Sequence, residues 1–211
     1  MMKPLVLKNV RILDPSRTLD EVGTIIIGAD GNILAAGTDA QNQGAPEGAE
    51  IRDCGGLTAI PGLVDARVFV GEPGHEHRET IASASRAAAA GGITSFIMMP
   101  ETDPVIDDIA LVEFVKKTAR DTAIVNVYPA AALTKGMTSA EMTEMGLLQL
   151  AGAVAFTNGR HGLNDTQVLR RAMTYAREFD AVVALETREK YLAANGVMNE
   201  GLFASWLGLS G

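Results

Sequence analysis

The sequence predicts an α/β protein with a strand-rich beginning, and three observations support this. Residues 4–62 contain short apolar runs separated by turns, whereas strands and helices alternate from residue 63 onward. Strands that alternate with helices are typically parallel and joined by right-handed crossovers. The predicted strands are continuous apolar runs, which indicates a sheet covered on both faces. An open doubly wound sheet and a (β/α) barrel both fit this pattern, although no G-x-G-x-x-G motif for a dinucleotide follows the first strand.

The first 62 residues read as strands and hairpins. The run PLVLKNVRIL ends at Asp14-Pro15-Ser16, and Asp30-Gly31 lies between two apolar arms, a strong hairpin signal. The segment AEIRDCGGLTAIPG adds one or two further strands. We therefore predict one domain over residues 1–62 and a second over residues 63–211.

The second domain contains five predicted strand–helix units. The strands in order are LVDARVFV, TSFIMMPE, TAIVNVYPAAAL, GAVAFTN and AVVALE. The helices are ETIASASRAAAAGG, DDIALVEFVKKTAR, SAEMTEMGLLQLA with Ser139 and Thr143 near its start, a helix capped by Asp165, and GLFASWLGLSG. In the helix after Asp165, one face is predicted to carry Val168, Leu169, Ala172, Ala176 and Phe179.

Composition excludes several classes of function. The formal net charge is −8 and the basic residues are scattered, which argues against nucleic acid or an anionic membrane surface as a partner. The single cysteine, Cys54, excludes an internal disulfide and favours a reducing compartment. No run approaches the roughly 18 apolar residues of a membrane span. A cytoplasmic location is expected.

Three segments identify a family resemblance. The stretch PGLVDARVFVGEPGHEHRETIASASRAAAAGGITSFIMMPETDPVIDD resembles the first strand, helix and second strand of dihydroorotases, in the amidohydrolase superfamily. GAVAFTNG resembles their fourth-strand segment, and GVMNEG resembles the segment after their fifth strand. The resemblance implies a TIM-type (β/α) barrel with functional residues at the carboxyl ends of its strands, preceded by a small N-terminal β-sandwich.

The residues that carry the family's chemistry are different here. Dihydroorotases have His-x-His at the end of the first strand for a metal ion, and this chain has Arg67 and Phe69. Arginine is permanently protonated and phenylalanine has no lone pair, so neither can bind zinc. The family's substrate-gripping arginine is replaced by Gly71, and its asparagine after the second strand by Glu101.

Later strands show the same loss. The family's Phe-Thr-Asp-Asp-Gly is one residue shorter here and reads Phe-Thr-Asn-Gly, with Asn158 and no acid. Its fifth-strand histidine is matched by Glu186, and the acid two residues later by Arg188. We therefore expect no catalytic residue, no metal ligand and no cofactor among these positions. Arg67 is expected to pair with Glu186 across the barrel mouth.

Other polar residues have simpler interpretations. His75 and His77 could chelate a metal ion, but two histidines need further ligands, so a helix-entry or surface role is favoured. His161 is expected to be solvated. Asp65 is expected to be structural, and Cys54 a small packed side chain.

The resemblance leaves three functions open. A degenerate, non-catalytic dihydroorotase-like protein of pyrimidine biosynthesis is favoured, as an oligomeric structural partner of aspartate carbamoyltransferase, because such paralogues exist in several bacteria. The alternative is an active cyclic amidohydrolase that converts dihydroorotate to N-carbamoyl-aspartate with a zinc-activated water. The third is a metal-free protein in which Arg67 and Arg188 hold an anionic ligand. Five strands are fewer than the eight of a complete barrel, so we expect a fragment of a longer protein.

Overall fold

The computed structural model describes residues 2–188, 190–193 and 195–210, and the chain divides into two units, Met1–Gly62 and Leu63–Gly211. The first unit is built on one mixed sheet with the strand order β3-β2-β1-β4, and β5 also pairs with β1. Its strands are β1 (Leu5–Asp14), β2 (Leu19–Ile27), β3 (Ile33–Gly37), β4 (Glu50–Asp53) and β5 (Thr58–Ala59). Strand β1 is antiparallel to β2 and parallel to β4 and β5.

The predicted hairpin in this unit is confirmed. Strands β2 and β3 pair in antiparallel register around a turn at Asp30-Gly31. The Asp30 carboxylate accepts a hydrogen bond from the Asn32 backbone N–H at 3.1 Å, and Gly31 has a φ of +83°, which glycine adopts without strain. Cys54 packs against a small core of Val10, Ile12 and Ile25, as expected.

The second unit contains a sheet of five strands in the order β10-β9-β8-β7-β6, and every neighbouring pair is parallel. The strands are β6 (Leu63–Val68), β7 (Ile93–Met98), β8 (Asn126–Ala132), β9 (Ala155–Thr157) and β10 (Val183–Ala184). The helices are α1 (Ile81–Ala90), α2 (Ile109–Thr122), α3 (Met145–Ala151), α4 (Thr166–Ala176), α5 (Lys190–Ala193) and α6 (Leu202–Leu207).

The strand order decides between the two architectures that the sequence left open. Each strand lies beside the one that precedes it in the chain, without the reversal that defines a doubly wound sheet. Consecutive parallel strands with helices between them are the arrangement of a (β/α) barrel. The second unit is therefore a partial barrel.

The core of the partial barrel lies between the sheet and its helices. Its fully buried side chains include Ile81, Phe96, Met98, Val112, Val115, Leu133, Met145 and Phe156. Three of these helices begin at residues whose side chains cap them. Thr80 and Ser83 form a capping box at α1, Asp108 caps α2, and Asp165 caps α4 as predicted.

Two predictions about the helices are wrong. The third helix begins at Met145 and not at Ser139, because hydroxyl groups hold the preceding segment in a loop. Thr143 Oγ1 donates a hydrogen bond to the Ala132 carbonyl at 2.7 Å, and the Ser139 N–H donates to Thr134 Oγ1 at 3.1 Å.

The second error concerns Phe179, which was expected on the same face of α4 as Val168 and Ala172. That helix ends at Ala176, and Phe179 lies in the following 3₁₀ turn, Arg177–Phe179. The Phe179 ring is exposed and packs edge to face against Tyr175, with 4.9 Å between the ring centroids. Val168 and Ala172 are buried as predicted.

The edges of the parallel sheet carry exposed apolar side chains. In the described part of the chain, β6 and β10 each pair with a neighbouring strand on one side only. Large apolar side chains are exposed at or beside these strands and on α6, namely Leu63, Val64, Val182, Leu185, Leu202, Phe203, Trp206 and Leu207. Unpaired strand edges of this kind favour association with other polypeptide. Among the described residues, no helix has the length and apolar character needed to cross a membrane.

Candidate functional site

The seven positions singled out from the sequence all lie at or after the carboxyl ends of the parallel strands. Arg67 lies in β6, with Phe69 and Gly71 just beyond it; Glu101 follows β7, Asn158 follows β9, and Glu186 and Arg188 follow β10. The carboxyl ends of the strands form the functional face of a (β/α) barrel. This face is therefore the candidate site.

Arg67 and Glu186 form the predicted ion pair across this face. Arg67 Nη2 lies 3.1 Å from Glu186 Oε2. The two side chains are 49% and 29% exposed, so solvent screens their attraction and the pair stabilises the fold modestly. The pair nevertheless engages Glu186, the acidic residue at the end of β10, in an interaction within the protein.

Phe69 contacts two guanidinium groups. The Arg67 guanidinium is 5.6 Å from the centroid of the Phe69 ring, and the Arg160 guanidinium is 4.4 Å from it. Both distances are in the range of cation–π contacts. The end of β6 therefore presents an aromatic face and a cation at the two positions that the resemblance matches to metal ligands.

Glu101 is a buried carboxylate with one oxygen engaged. Its Oε1 accepts hydrogen bonds from the Arg160 backbone N–H at 3.0 Å and from Arg160 Nε at 3.3 Å. Its side chain is 7% exposed, and its Oε2 is buried without a hydrogen-bond partner. The carboxylate lies directly over Gly159, where a Cβ would overlap it. Gly159 also has a φ of +59°, so this position is suited to glycine for two reasons.

The amide of Asn158 is used within the protein. Its Nδ2 donates a hydrogen bond to Thr134 Oγ1 at 2.8 Å, and its Oδ1 accepts one from the Thr134 backbone N–H at 3.1 Å. Both residues are buried. Asn158 therefore ties the end of β9 to the end of β8 and does not face a ligand. Thr134 was not identified from the sequence, since a lone threonine after a strand carries no distinctive signal.

The loop after β6 packs tightly over Gly71. A Cβ at this position would overlap the carbonyl oxygen of His75, whose N–H donates a hydrogen bond to the Gly71 carbonyl. An arginine side chain therefore cannot be added here unless the loop moves. The rings of His75 and His77 lie 6.0 Å apart, and His77 and His161 are exposed.

The donor set at the strand ends does not fit the metal ion that the resemblance implies. Glu186 is paired with Arg67, Glu101 with Arg160, and Asn158 with Thr134. Over residues 2–188, 190–193 and 195–210, no three His, Cys, Asp or Glu side chains are grouped so that they could hold a metal ion. A catalytic zinc needs about three protein ligands.

A polar cavity of about 370 Å³ lies beside the ion pair. It is lined by Met137, Thr138, Ser139, Arg160, His161, Gly162, Asn164, Glu186 and Arg188. Arg160 was not identified as a site residue from the sequence, although it directly follows the Phe-Thr-Asn-Gly segment. In the structure it contacts both Phe69 and Glu101.

Comparison with known proteins places these differences in context. Residues 56–211 match a family model described as dihydro-orotase-like. The chain is 40% identical over 207 residues to a dihydroorotase of Geobacter sp. (strain M21), covering 98% of this chain and 48% of that protein. It is 41% identical over 208 residues to a protein of Pseudomonas aeruginosa named dihydroorotase-like protein, covering 97% of this chain and 48% of the relative.

A solved structure supports the fold. The L-hydantoinase of Arthrobacter aurescens matches with a TM-score of 0.77 at 22% identity, over 92% of this chain and 43% of that one. At this identity the match supports the architecture and not the activity. The chain spans about half the length of the curated relatives it matches.

Proposed function

Because the chain belongs to the dihydroorotase-like family of the amidohydrolase superfamily, we propose that it is a degenerate, non-catalytic member of that family. We further propose that it acts in pyrimidine biosynthesis, in the cytoplasm, as a structural partner of aspartate carbamoyltransferase within an oligomer. The observation that carries the proposal is the Arg67–Glu186 ion pair, which occupies strand ends where the family holds a metal ion.

The chemistry of the strand ends supports the absence of catalysis. A metal-activated water needs a cation held by several lone-pair donors. Here the guanidinium of Arg67 repels a cation and forms an ion pair with the carboxylate of Glu186. The side chain of Phe69 has no lone pair with which to bind a metal ion. We derive no reaction step for this face.

The retained fold supports a structural role. The chain keeps the consecutive parallel strands of a (β/α) barrel and is 40% identical over 207 residues to a dihydroorotase. The fold is retained although the strand ends are unsuited to a metal ion. This combination favours packing or assembly, and not catalysis, as the role of the fold.

A turnover assay tests the catalytic half of the proposal. The purified chain, with and without added zinc, is incubated with dihydroorotate, and formation of N-carbamoyl-aspartate is measured. We expect no turnover and less than one equivalent of tightly held zinc per chain. Turnover that a chelator abolishes would establish the active cyclic amidohydrolase instead and overturn the proposal.

A co-elution experiment tests the partner. The chain and the aspartate carbamoyltransferase of the same organism are co-expressed and separated by size, and each is also run alone. We expect one larger complex and a change in the assembly of the carbamoyltransferase. Separate elution, with no effect on that assembly, would refute the partnership and leave the turnover result unaffected.

A further inference from the structure

We propose that the outer surface of helices α3 and α4 is where two copies of this chain associate about a two-fold axis. Helix α3 links β8 to β9, and α4 links β9 to β10. Their buried side chains Leu148, Ala172 and Ala176 belong to the core, so the outer surface lies on the opposite side of the helices, away from the strand ends. The inference rests on the proposed oligomer for its role but not for its test, which contains no carbamoyltransferase.

An apolar groove of about 500 Å³ runs between the two helices. It is lined by Gly146, Leu147, Gln149, Leu150, Tyr175 and Phe179. The side chains of Leu147 and Leu150 are 51% and 85% exposed, and Gln149 is the only polar residue of α3. A helix that is apolar on nearly every face is normally covered by protein on every face. The outer face of α3 therefore has the composition of an interface.

Phe179 holds the groove in shape. A Cβ at Gly146 would come within 2.8 Å of two atoms of the Phe179 ring, so the ring packs directly on the backbone of α3. Gln149 Nε2 donates a hydrogen bond to the Phe179 carbonyl at 3.1 Å, and Tyr175 packs edge to face on the same ring. These contacts join α3 to the turn after α4. A groove formed before association reduces the conformational entropy lost on binding.

The charges beside the groove are not paired within the chain. An adjoining depression of about 480 Å³ is lined by Gln167, Arg170, Arg171, Thr174, Tyr175 and Glu178. Tyr175 lines the groove as well, so the two form one continuous surface. Among the residues that the structure describes, neither Arg171 nor Glu178 forms an ion pair. Arg177 and Asp180 line neither the groove nor the depression.

A two-fold axis brings these opposite charges together. Arg171 and Glu178 are separated by about 10 Å along the helix, and their midpoint falls between Thr174 and Tyr175. When two copies of α4 pack antiparallel about that midpoint, Arg171 of each copy lies beside Glu178 of the other, and the Tyr175 rings meet at the centre. Arg170 adds a second cation beside the same carboxylate. A symmetric dimer requires a self-complementary surface of this kind, which favours a second copy as the occupant.

Sedimentation equilibrium of the purified full chain tests this interface. We expect a reversible monomer–dimer equilibrium that weakens as salt is added, because both charged groups are exposed. Arg171→Glu and Glu178→Arg should each weaken the dimer about tenfold or more, since each turns two attractive contacts into repulsive ones. An equimolar mixture of the two variants should associate with nearly wild-type affinity, because both contacts between the unlike chains again join opposite charges.

Two leucine variants separate this surface from general apolar association. Leu150→Ser shortens the exposed side chain beside the groove and should weaken the dimer. Leu34→Ser removes a leucine of the first unit that is 61% exposed and should leave the affinity unchanged. Thermal unfolding confirms that each variant is folded. A wild-type chain that stays monomeric, association that is unchanged in both charge variants, or a mixture that associates no better than either variant alone would overturn the proposal.

Discussion

Arg67 and Glu186 join the first and the last strand of the five-stranded parallel sheet, with 3.1 Å between Nη2 and Oε2. In a flat sheet, four strand spacings would separate β6 from β10 by about 19 Å. The contact is therefore possible because the sheet curves as a barrel wall does. A single ion pair thus reports the curvature of the barrel wall.

The first prediction concerns the strength of this pair. A double-mutant cycle with Arg67→Met and Glu186→Gln, measured by urea unfolding, should give a coupling free energy of about 0.5–1 kcal/mol, because both side chains are partly exposed. The pair of Arg52 and Glu50, at 3.0 Å and more exposed, is the control and should couple more weakly. Coupling no larger than in the control would show that the Arg67 pair is incidental.

The second prediction restores imidazole at the end of β6. The double substitution Arg67→His with Phe69→His places two lone-pair donors side by side and releases Glu186 as a third. The double variant should retain zinc after dialysis, measured by elemental analysis. The matched control, Arg67→Ala with Phe69→Ala, releases Glu186 without adding donors and should retain none. Equal zinc in the two variants would contradict the prediction.

The third prediction concerns the contact between Gly159 and Glu101. Gly159→Ala should lower the free energy of unfolding by about 2–4 kcal/mol, since the new Cβ meets the Glu101 carboxylate at a positive φ. Gly92→Ala is the control, because Gly92 also has a positive φ but nothing lies within 4 Å of a Cβ there. Chemical denaturation gives the free energy of unfolding of both variants, and the difference between their losses measures the cost of the steric overlap. Equal losses would refute such a cost.

The fourth prediction concerns Asn158 and Thr134. Asn158→Ala should cost about 2–4 kcal/mol of unfolding free energy, because it leaves buried polar groups of Thr134 without partners and opens a small cavity. Asn126 is the control, since it is exposed and makes longer bonds of 3.3 and 3.2 Å to Thr94 and Ser95. Asn126→Ala should cost less than about 1 kcal/mol. A reversal of this order would contradict the assignment of a structural role to Asn158.

The fifth prediction is a pH dependence in the first unit. Arg11 donates hydrogen bonds from Nε and Nη2 to both carboxylate oxygens of Asp20, each at 2.7 Å, and so lowers the pKa of Asp20 below its ordinary value of 3.8. The unfolded chain binds the proton more tightly, so this stabilisation is present above pH 3.8 and is lost as the pH falls through the folded pKa.

Asp20→Asn should therefore lower stability at neutral pH and remove part of the acid dependence of unfolding, as followed by circular dichroism between neutral and acidic pH. Both groups are exposed, so high salt should reduce the difference from wild type. An unchanged acid dependence in Asp20→Asn would show that the pair does not contribute.

Much of the architecture follows from local sequence because local chemistry determines it. The Asp30-Gly31 turn and the Asp165 cap rest on neighbouring residues, and both were predicted correctly. The start of α3 was not predicted correctly. The Ser139 N–H donates to the Thr134 hydroxyl and the Thr143 hydroxyl donates to the Ala132 carbonyl, and these bonds compete with the helix. Such side-chain competition leaves no periodic signal in the sequence.

The candidate site was likewise predicted only in part from the sequence. The prediction that Arg67 and Phe69 do not bind a metal ion could be made directly, because it depends on residue type. The role of Arg160 could not, because its contacts with Phe69 and Glu101 join segments that are 91 and 59 positions away in the chain. These contacts depend on the curvature of the sheet.

The tight packing of the loop over Gly71 limits what this position can hold. The carbonyl oxygen of His75 lies where the Cβ of any other residue would be placed. A substitution by arginine therefore requires the backbone of the loop to shift before the new side chain can be accommodated. Introducing the residue that the resemblance implies at this position would thus take changes at more than one place in the chain.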